Sequence, residues 1–144
     1  MRSLDDKKGY RIEIATNNVL THRWNAIEPL LKRALQYSDG KYSLPGIQSL
    51  LLNHHAVCWL ALENTEIKGV LLTKINEFEC SKRASLFMLA GDDLDKLMKL
   101  YPTIKNWALR MGCDALELFG RPGWEKKLKK YDFEKTHIVL RATL

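Results

Sequence analysis

The sequence predicts a mixed α/β domain in which a central sheet carries helices on both faces. Short apolar or alternating runs, typical of strands, are interleaved with longer segments of helical period, in the order β-α-α-β-β-β-α-β-α-β. A strand–helix–strand unit between residues 84 and 119 predicts one parallel strand pair, and tight hairpins elsewhere predict antiparallel pairing. With 144 residues the chain is long enough for one domain, predicted to span residues 1–144.

The N-terminal third predicts one strand and two helices. Tyr10–Ala15 alternates apolar and charged residues and is typical of a half-buried strand. Helical spacing follows over Leu20–Leu35, and Pro29 predicts that this helix begins or bends there. Ser43–Pro45 is typical of an N-cap followed by an early proline, and predicts a second helix to about Asn53.

The middle of the chain predicts three strands. Ala56–Leu62 is an apolar run typical of a buried strand, and Ile67–Ile75 predicts its hairpin partner. Asn76–Arg83 is polar and predicts a loop, and Ala84–Ala90 predicts the next strand.

The C-terminal part predicts the crossover and the end of the sheet. Helical period runs over Leu94–Met111 and keeps its phase across Pro102, which predicts one kinked helix or two helices in line. Gly112 suits the position after a helix end, and Asp114–Phe119 predicts a short strand. A basic helix and a last strand, Thr136–Ala142, are predicted to follow.

Composition limits the functional classes without selecting one. The apolar content of 46% and charged content of 28% are ordinary for a soluble domain, and no apolar run approaches the roughly 20 residues of a membrane span. The N-terminus resembles neither a signal nor a transit peptide, and three widely spaced cysteines indicate a reducing compartment, so we expect no secretion. A net charge of +6 permits contact with nucleic acid, an acidic cofactor or an acidic protein, but also suits a merely solvated surface.

One stretch carries a family resemblance. A helix ending in Trp107-Ala108 and Gly112-Cys113 is followed by a strand, by Gly120-Arg121 and Gly123-Trp124, and by Phe133. In order and spacing, residues 56–144 resemble the GNAT superfamily, and more narrowly the small GNAT-like proteins encoded by tailed phages. The resemblance implies a mixed sheet whose parallel strands, Ala84–Ala90 and Asp114–Phe119, splay apart and hold acetyl-CoA between them.

The cofactor turn implied by the resemblance is altered. It falls on Leu89, Ala90 and Gly91, where the family has a basic residue and a glycine-rich turn that presents backbone N–H groups to the diphosphate. Here one glycine remains, no basic residue precedes it, and Asp92 and Asp93 follow it. Two carboxylates repel a diphosphate and suit the cap of a helix. We therefore expect no bound cofactor, or acetyl-CoA if the protein is an enzyme.

The implied general acid is also missing. The family tyrosine lies five residues before the Phe of a Gly-Phe pair, and here Leu128 stands there, while Tyr131 is three positions away and Asp132 replaces the glycine. Some relatives lack this tyrosine, so its absence alone does not decide activity. Glu117 is the candidate catalytic base, because it interrupts a buried strand; alternatively it pairs with a lysine or faces solvent.

The remaining candidates concern partners. The residues that we expect to contact an acidic partner are Arg121, Trp124, Lys126, Lys127 and Lys130, although a solvated helix face is the simpler explanation of the lysines. His54, His55 and Cys58 have no second cluster at metal-ligand spacing, so no metal site is predicted.

Two functions follow from the sequence. A domain that keeps its core but loses the cofactor turn is typical of a repurposed fold, which predicts a catalytically degenerate structural or assembly component of a phage virion. Its partners would be other virion proteins, a second copy of the chain or DNA, not a membrane, in the virion or the host cytoplasm. The alternative is an acetyl-CoA-dependent N-acetyltransferase whose amine substrate the sequence does not identify.

Overall fold

The computed structural model describes residues 9–120 and 123–144. The strands are β1 (Tyr10–Ile14), β2 (Val57–Glu63), β3 (Glu66–Glu77), β4 (Lys82–Gly91) and β5 (Ala115–Leu118). The helices are α1 (Asn17–His22), α2 (Trp24–Leu35), α3 (Leu44–Leu52), α4 (Leu94–Met98), α5 (Tyr101–Arg110) and α6 (Trp124–Leu128), the last followed by a 3-10 turn (Lys129–Tyr131). Within the described ranges, none of the helices has the length and apolarity needed to cross a bilayer.

The five strands form one sheet in the order β1-β2-β3-β4-β5. Neighbours are antiparallel from β1 to β4, while β4 and β5 run parallel and are joined through α4 and α5. The predicted mixed sheet with one parallel pair is confirmed.

Helices cover both faces of this sheet, as predicted. Successive strand residues point to opposite faces. In β2, Cys58 and Leu60 pack in a core with buried residues of α1, α2 and α3, whereas Trp59 and Ala61 pack with those of α4 and α5. The protein therefore has two apolar layers, one on each side of the sheet.

The helix ends follow the predicted capping chemistry. The Ser43 hydroxyl accepts a hydrogen bond from the Gly46 N–H (3.1 Å), and Pro45 lies in the first turn of α3. Gly112, just beyond α5, has a φ of +81°, which is the conformation that glycine tolerates best.

The first helical segment differs from its prediction at Pro29. The segment divides at Arg23 instead, and α2 continues from Trp24 through the proline. Proline removes one backbone donor from the helix. The packing of Ile27 and Leu31, both with an exposed fraction of 0%, holds this face of α2 against the sheet across the proline.

The predicted loop Asn76–Arg83 is instead mostly the end of a long hairpin. β3 continues to Glu77 and β4 begins at Lys82, with Asn76 paired to Arg83 and Glu77 paired to Lys82. The Lys82 ammonium lies 3.7 Å from the Glu77 carboxylate. The polar composition that predicted a loop therefore reflects a solvated strand pair.

The last predicted strand, Thr136–Ala142, is wrong. Residues 132–144 form neither helix nor strand, and Ile138, Val139 and Leu140 are 66%, 79% and 87% exposed. Alternation alone does not make a strand stable without a paired neighbour. The segment is instead held through Arg141, whose guanidinium contacts the Asp39 carboxylate.

For the segment Leu94–Met111 the sequence allowed either one kinked helix or two helices, and the structure has two. Lys99 and Leu100 separate α4 from α5, and Pro102 lies in the first turn of α5, where its missing N–H costs no helical hydrogen bond.

Candidate functional site

The parallel strands separate at a defined point. Their pairing ends at Leu86 opposite Leu118, while β4 continues to Gly91 alongside β3. A register shift at the same place leaves Phe87 without a partner residue in β3, which is a β-bulge. A bulge bends its strand, so β4 turns away from β5 here. The predicted splayed pair is confirmed, and its opening lies at Phe87.

Three polar side chains form a row across the sheet beside this opening. Lys74 on β3 is opposite Ser85 on β4, and Ser85 is opposite Glu117 on β5. Side chains at paired positions share one face. Because Lys74 contacts Tyr42, which packs against the core of α1–α3, the row lies on that face.

Glu117 is paired with an arginine. Its carboxylate lies 3.3 Å from the Arg83 guanidinium, and 27% of its side chain is exposed. The alternative to a catalytic role was that Glu117 pairs with a lysine or faces solvent. The structure shows an ion pair, but with an arginine instead of a lysine. Glu117 stands one residue before the last paired position of β5, and its role as a catalytic base stays a prediction.

Lys74 is a half-buried cation with an aromatic environment. Its ammonium donates a hydrogen bond to the Tyr42 hydroxyl (2.8 Å) and lies 5.4 Å and 5.1 Å from the ring centres of Tyr42 and Phe87. No carboxylate of the described residues forms an ion pair with it. Between Lys74 and Glu117, the buried Ser85 hydroxyl has no hydrogen-bond partner among the described residues.

The predicted cofactor turn is a packing element. Gly91 is opposite Gly69 on β3, and Leu97 covers both. A Cβ at Gly91 would lie 2.6 Å from Leu97 Cδ1, and a Cβ at Gly69 would lie 2.5 Å from Leu97 Cδ2. The glycine is therefore required by packing, whatever binds nearby. Leu89 packs on the α4–α5 face and Ala90 on the opposite face.

Of the two acids after Gly91, Asp93 has the predicted capping role, whereas Asp92 does not. The Asp93 carboxylate accepts a hydrogen bond from the Lys96 N–H (3.1 Å) at the start of α4. The Asp92 carboxylate lies 3.2 Å from the Arg33 guanidinium of α2. A basic residue therefore does stand beside this turn, supplied from 59 positions earlier in the chain, which the local pattern did not indicate.

The tyrosine position is apolar in space as well as in sequence. Leu128 is 3% exposed and belongs to the core. Tyr131 packs on Tyr101 of α5, with ring centres 6.2 Å apart, and burial and the Asp132 charge raise the pKa of the Tyr101 phenol. Asp132 has a φ of +66°, so the left-handed backbone that glycine favours is retained without the glycine.

The 3-10 turn after the basic helix α6 approaches α4, where the Lys130 ammonium lies 3.6 Å from the Asp95 carboxylate in an exposed ion pair. Lys126 and Lys127 are exposed, and Trp124 is half-buried. Arg121 lies outside the described residues. Contact of these side chains with a partner remains a prediction.

The cysteines do not form a reactive centre. Burial raises the pKa of the Cys58 thiol to about 12 and also raises the pKa of Cys113, while Cys80 is exposed. Among residues 9–120 and 123–144, no three His, Cys, Asp or Glu side chains are grouped so that they could hold a metal ion.

Comparison with solved structures identifies the architecture. An aminoglycoside acetyltransferase from an uncultured soil metagenomic sample, in complex with sisomicin, superposes with a TM-score of 0.70 at 18% identity, covering 97% of this chain and 99% of its own. The chain has the GNAT fold. A predicted acetyltransferase with acetyl-CoA from Clostridium acetobutylicum matches with a TM-score of 0.69 at 14% identity, covering 94% of this chain and 96% of its own.

A third similar structure is AAC(6')-Iy in complex with the bisubstrate analog CoA-S-monomethyl-acetylneamine, with a TM-score of 0.70 at 15% identity over 94% of this chain and 98% of its own. No protein-family model and no curated protein matches the sequence. At these identities the GNAT neighbours establish the fold alone.

Proposed function

We propose that the protein is an acetyl-CoA-dependent N-acetyltransferase acting on a primary amine. The observation that carries this proposal is the opening between β4 and β5 at the Phe87 bulge, which leaves the β4 edge from Phe87 to Gly91 without a parallel partner strand. Backbone N–H and C=O groups on such an edge need partners. The amide groups of a pantetheine arm can pair with them as an added strand would.

The residues present fit acetyl-CoA mainly through its pantetheine arm. At the diphosphate end, Asp93 already occupies the Lys96 N–H, so the start of α4 offers little to a phosphate. The cations shown at this end are Arg33, which pairs with Asp92, and Lys68 and Lys96, which line a surface pocket together with Asp92 and Asp93. The diphosphate would therefore be met by basic side chains instead of a glycine-rich turn.

Glu117 is the residue that we assign to proton removal. The cofactor supplies an activated acetyl thioester, and attack on it requires a neutral amine. Glu117 lies next to the last paired residues of β4 and β5, on the sheet face opposite α4 and α5. From there its carboxylate can take the proton of a substrate ammonium group, directly or through one water. The Arg83 contact holds its carboxylate in place.

A second candidate function is a non-catalytic virion structural or assembly component. The replacement of the phosphate turn by the Asp93 cap and the exposed lysines of α6 favour it. Its partner would be an acidic protein surface or DNA. The similar structures support the enzymatic alternative and provide no observation about a virion.

Calorimetry with acetyl-CoA, followed by an acetyl-transfer assay that detects free thiol, separates the two. We expect micromolar binding, and Glu117→Gln should lower kcat about 10²- to 10⁴-fold without weakening cofactor binding. Glu79→Gln, which neutralises an exposed carboxylate in the β3–β4 turn, is the matched control. Absence of acetyl-CoA binding, together with stoichiometric presence in purified phage particles, would establish the second candidate instead.

A further inference from the structure

If the proposed function holds, the charged side chains around the opening indicate which kind of amine the protein acetylates. Beside the single carboxylate of Glu117 stand the cations Arg83 and Lys74. At the rim, the Lys41 ammonium lies 5.6 Å from the ring centre of Phe119, the residue after β5. Against the Glu117 carboxylate these groups carry three positive charges; the Asp39 carboxylate also acts on Lys41 but is itself paired with Arg141. Like charges at such separations repel, which disfavours an acceptor with several ammonium groups.

Lys74 is the group in this row whose charge is least compensated. It is half-buried beside the packed rings of Tyr42 and Phe87, donates to the Tyr42 hydroxyl, and has no carboxylate among its described partners. A partly desolvated ammonium is stabilised by an anion that can accept its remaining hydrogen bonds. An acceptor with a carboxylate would supply that anion, and the Tyr42 hydroxyl is placed to donate to it.

Ser85 provides an independent observation. Its hydroxyl is buried without a partner, and it lies between Lys74 and Glu117 in the same row. An unsatisfied buried hydroxyl costs free energy, so its retention calls for a reason. A polar acceptor that reached this hydroxyl would give the O–H an oxygen to bind.

From these three observations we infer that the acceptor is an amino acid or a similar small amine that also carries a carboxylate. Its amine would lie at Glu117 and its carboxylate at Lys74 and Tyr42. The two ends of the row are two strand spacings apart, about 10 Å between Cα atoms. A small acceptor of this length can present its amine at one end and its carboxylate at the other.

The test compares acceptors that differ in one charge. The twenty amino acids, their carboxamides, and sisomicin as a polycation are assayed with acetyl-CoA, using the wild type, Lys74→Met and Lys41→Met. We expect at least one amino acid to be acetylated with a kcat/KM about 10- to 100-fold above that of its carboxamide, as a charged hydrogen bond implies. Lys74→Met should abolish this preference through KM, while Lys41→Met, which removes the same charge from the rim, should retain most of it.

Several outcomes would overturn the inference, and they differ from failure of the proposed function. Equal use of acids and carboxamides, preference for sisomicin, or an unchanged preference in Lys74→Met would each contradict it while leaving an N-acetyltransferase. Acetyl-CoA binding without binding of any amino acid in calorimetry would also contradict it. Failure of acetyl-CoA itself to bind would remove the proposed function and this inference together. If Lys74→Met does not fold, Ser85→Ala serves instead, with a several-fold rise in KM expected for the acid and a smaller rise for the carboxamide, because a hydrogen bond to a charged oxygen is the stronger one; equal rises would contradict the inference.

Discussion

The glycine pair under Leu97 predicts a measurable coupling. In Gly91→Ala the new methyl group would lie 2.6 Å from Leu97 Cδ1 and 3.3 Å from the Lys68 carbonyl oxygen. Favourable carbon contacts begin at about 3.5 Å. Leu97 is 1% exposed, so its side chain has no free space to enter. We expect Gly91→Ala to lower the free energy of unfolding by about 1–3 kcal/mol through overpacking.

The losses of unfolding free energy caused by Gly91→Ala and by Leu97→Ala should not be additive. Leu97→Ala alone should cost about 2–5 kcal/mol because it empties a buried site. In the double variant the alanine at 91 meets no leucine and partly fills the space, so most of its cost should disappear, leaving only the contact with the Lys68 carbonyl oxygen. Additivity predicts a total of about 3–8 kcal/mol, whereas the structure predicts about 2–5 kcal/mol, a coupling of about 1–3 kcal/mol.

Urea unfolding of the wild type, both single variants and the double variant measures this coupling. Gly123→Ala is the control, because no described atom outside its chain neighbours lies within 4 Å of its added Cβ, and its stability should stay near that of the wild type. Additivity within about 0.5 kcal/mol would refute the packing argument. The same reasoning makes a bulky residue at Gly91 unsuitable as a probe of cofactor binding, since loss of folding would imitate loss of the site.

Two further predictions concern polar contacts within the sheet. Trp59→Phe removes the donor of the buried hydrogen bond from its indole N–H to the Thr73 hydroxyl (2.9 Å), and should cost about 1–3 kcal/mol in urea unfolding. Adding Thr73→Val should recover part of this loss; no recovery would show that ring packing accounts for the cost. For Asp114, hydrogen bonds from the Ser81 hydroxyl and the Lys82 N–H hold the pKa of the carboxyl below its ordinary value. The folded pKa is therefore below the unfolded one, so this stabilisation is present at neutral pH and is lost as the pH falls below about 4. Asp114→Asn should be less stable than the wild type at pH 7, and the difference should shrink at pH 3; a difference independent of pH would contradict the assignment.

The features that the sequence predicted correctly are those that depend on residues close together along the chain. Strand positions came from local apolar patterns, and the cap at Ser43 and the helix end at Gly112 came from residue chemistry within one turn. The crossover between β4 and β5 followed from the order of elements. The predicted C-terminal strand was wrong because alternation in Thr136–Ala142 says nothing about whether a paired neighbour exists.

The candidate site depended on contacts that no local pattern records. Arg83 reaches Glu117 only because the parallel register places their strands side by side. The Phe87 bulge, which sets where the sheet opens, shows only in the pairing with β3. For the same reason, the sequence identified Glu117 as a carboxylate in a strand but gave no indication of Lys74 or Ser85 beside it.

The lengths of the strands have a consequence for self-association. The two edge strands of the described sheet have five and four residues, whereas the interior strands β3 and β4 have twelve and ten. An edge recruits another chain through its unpaired backbone groups, and short edges offer few of them. The β1 edge also carries the charged pair Arg11 and Glu13. Apart from the stretch of β4 opened at Phe87, the described sheet therefore offers few unpaired backbone groups to another chain, and the exposed apolar run Ile138–Leu140, which forms neither helix nor strand, is the second place where self-association would begin.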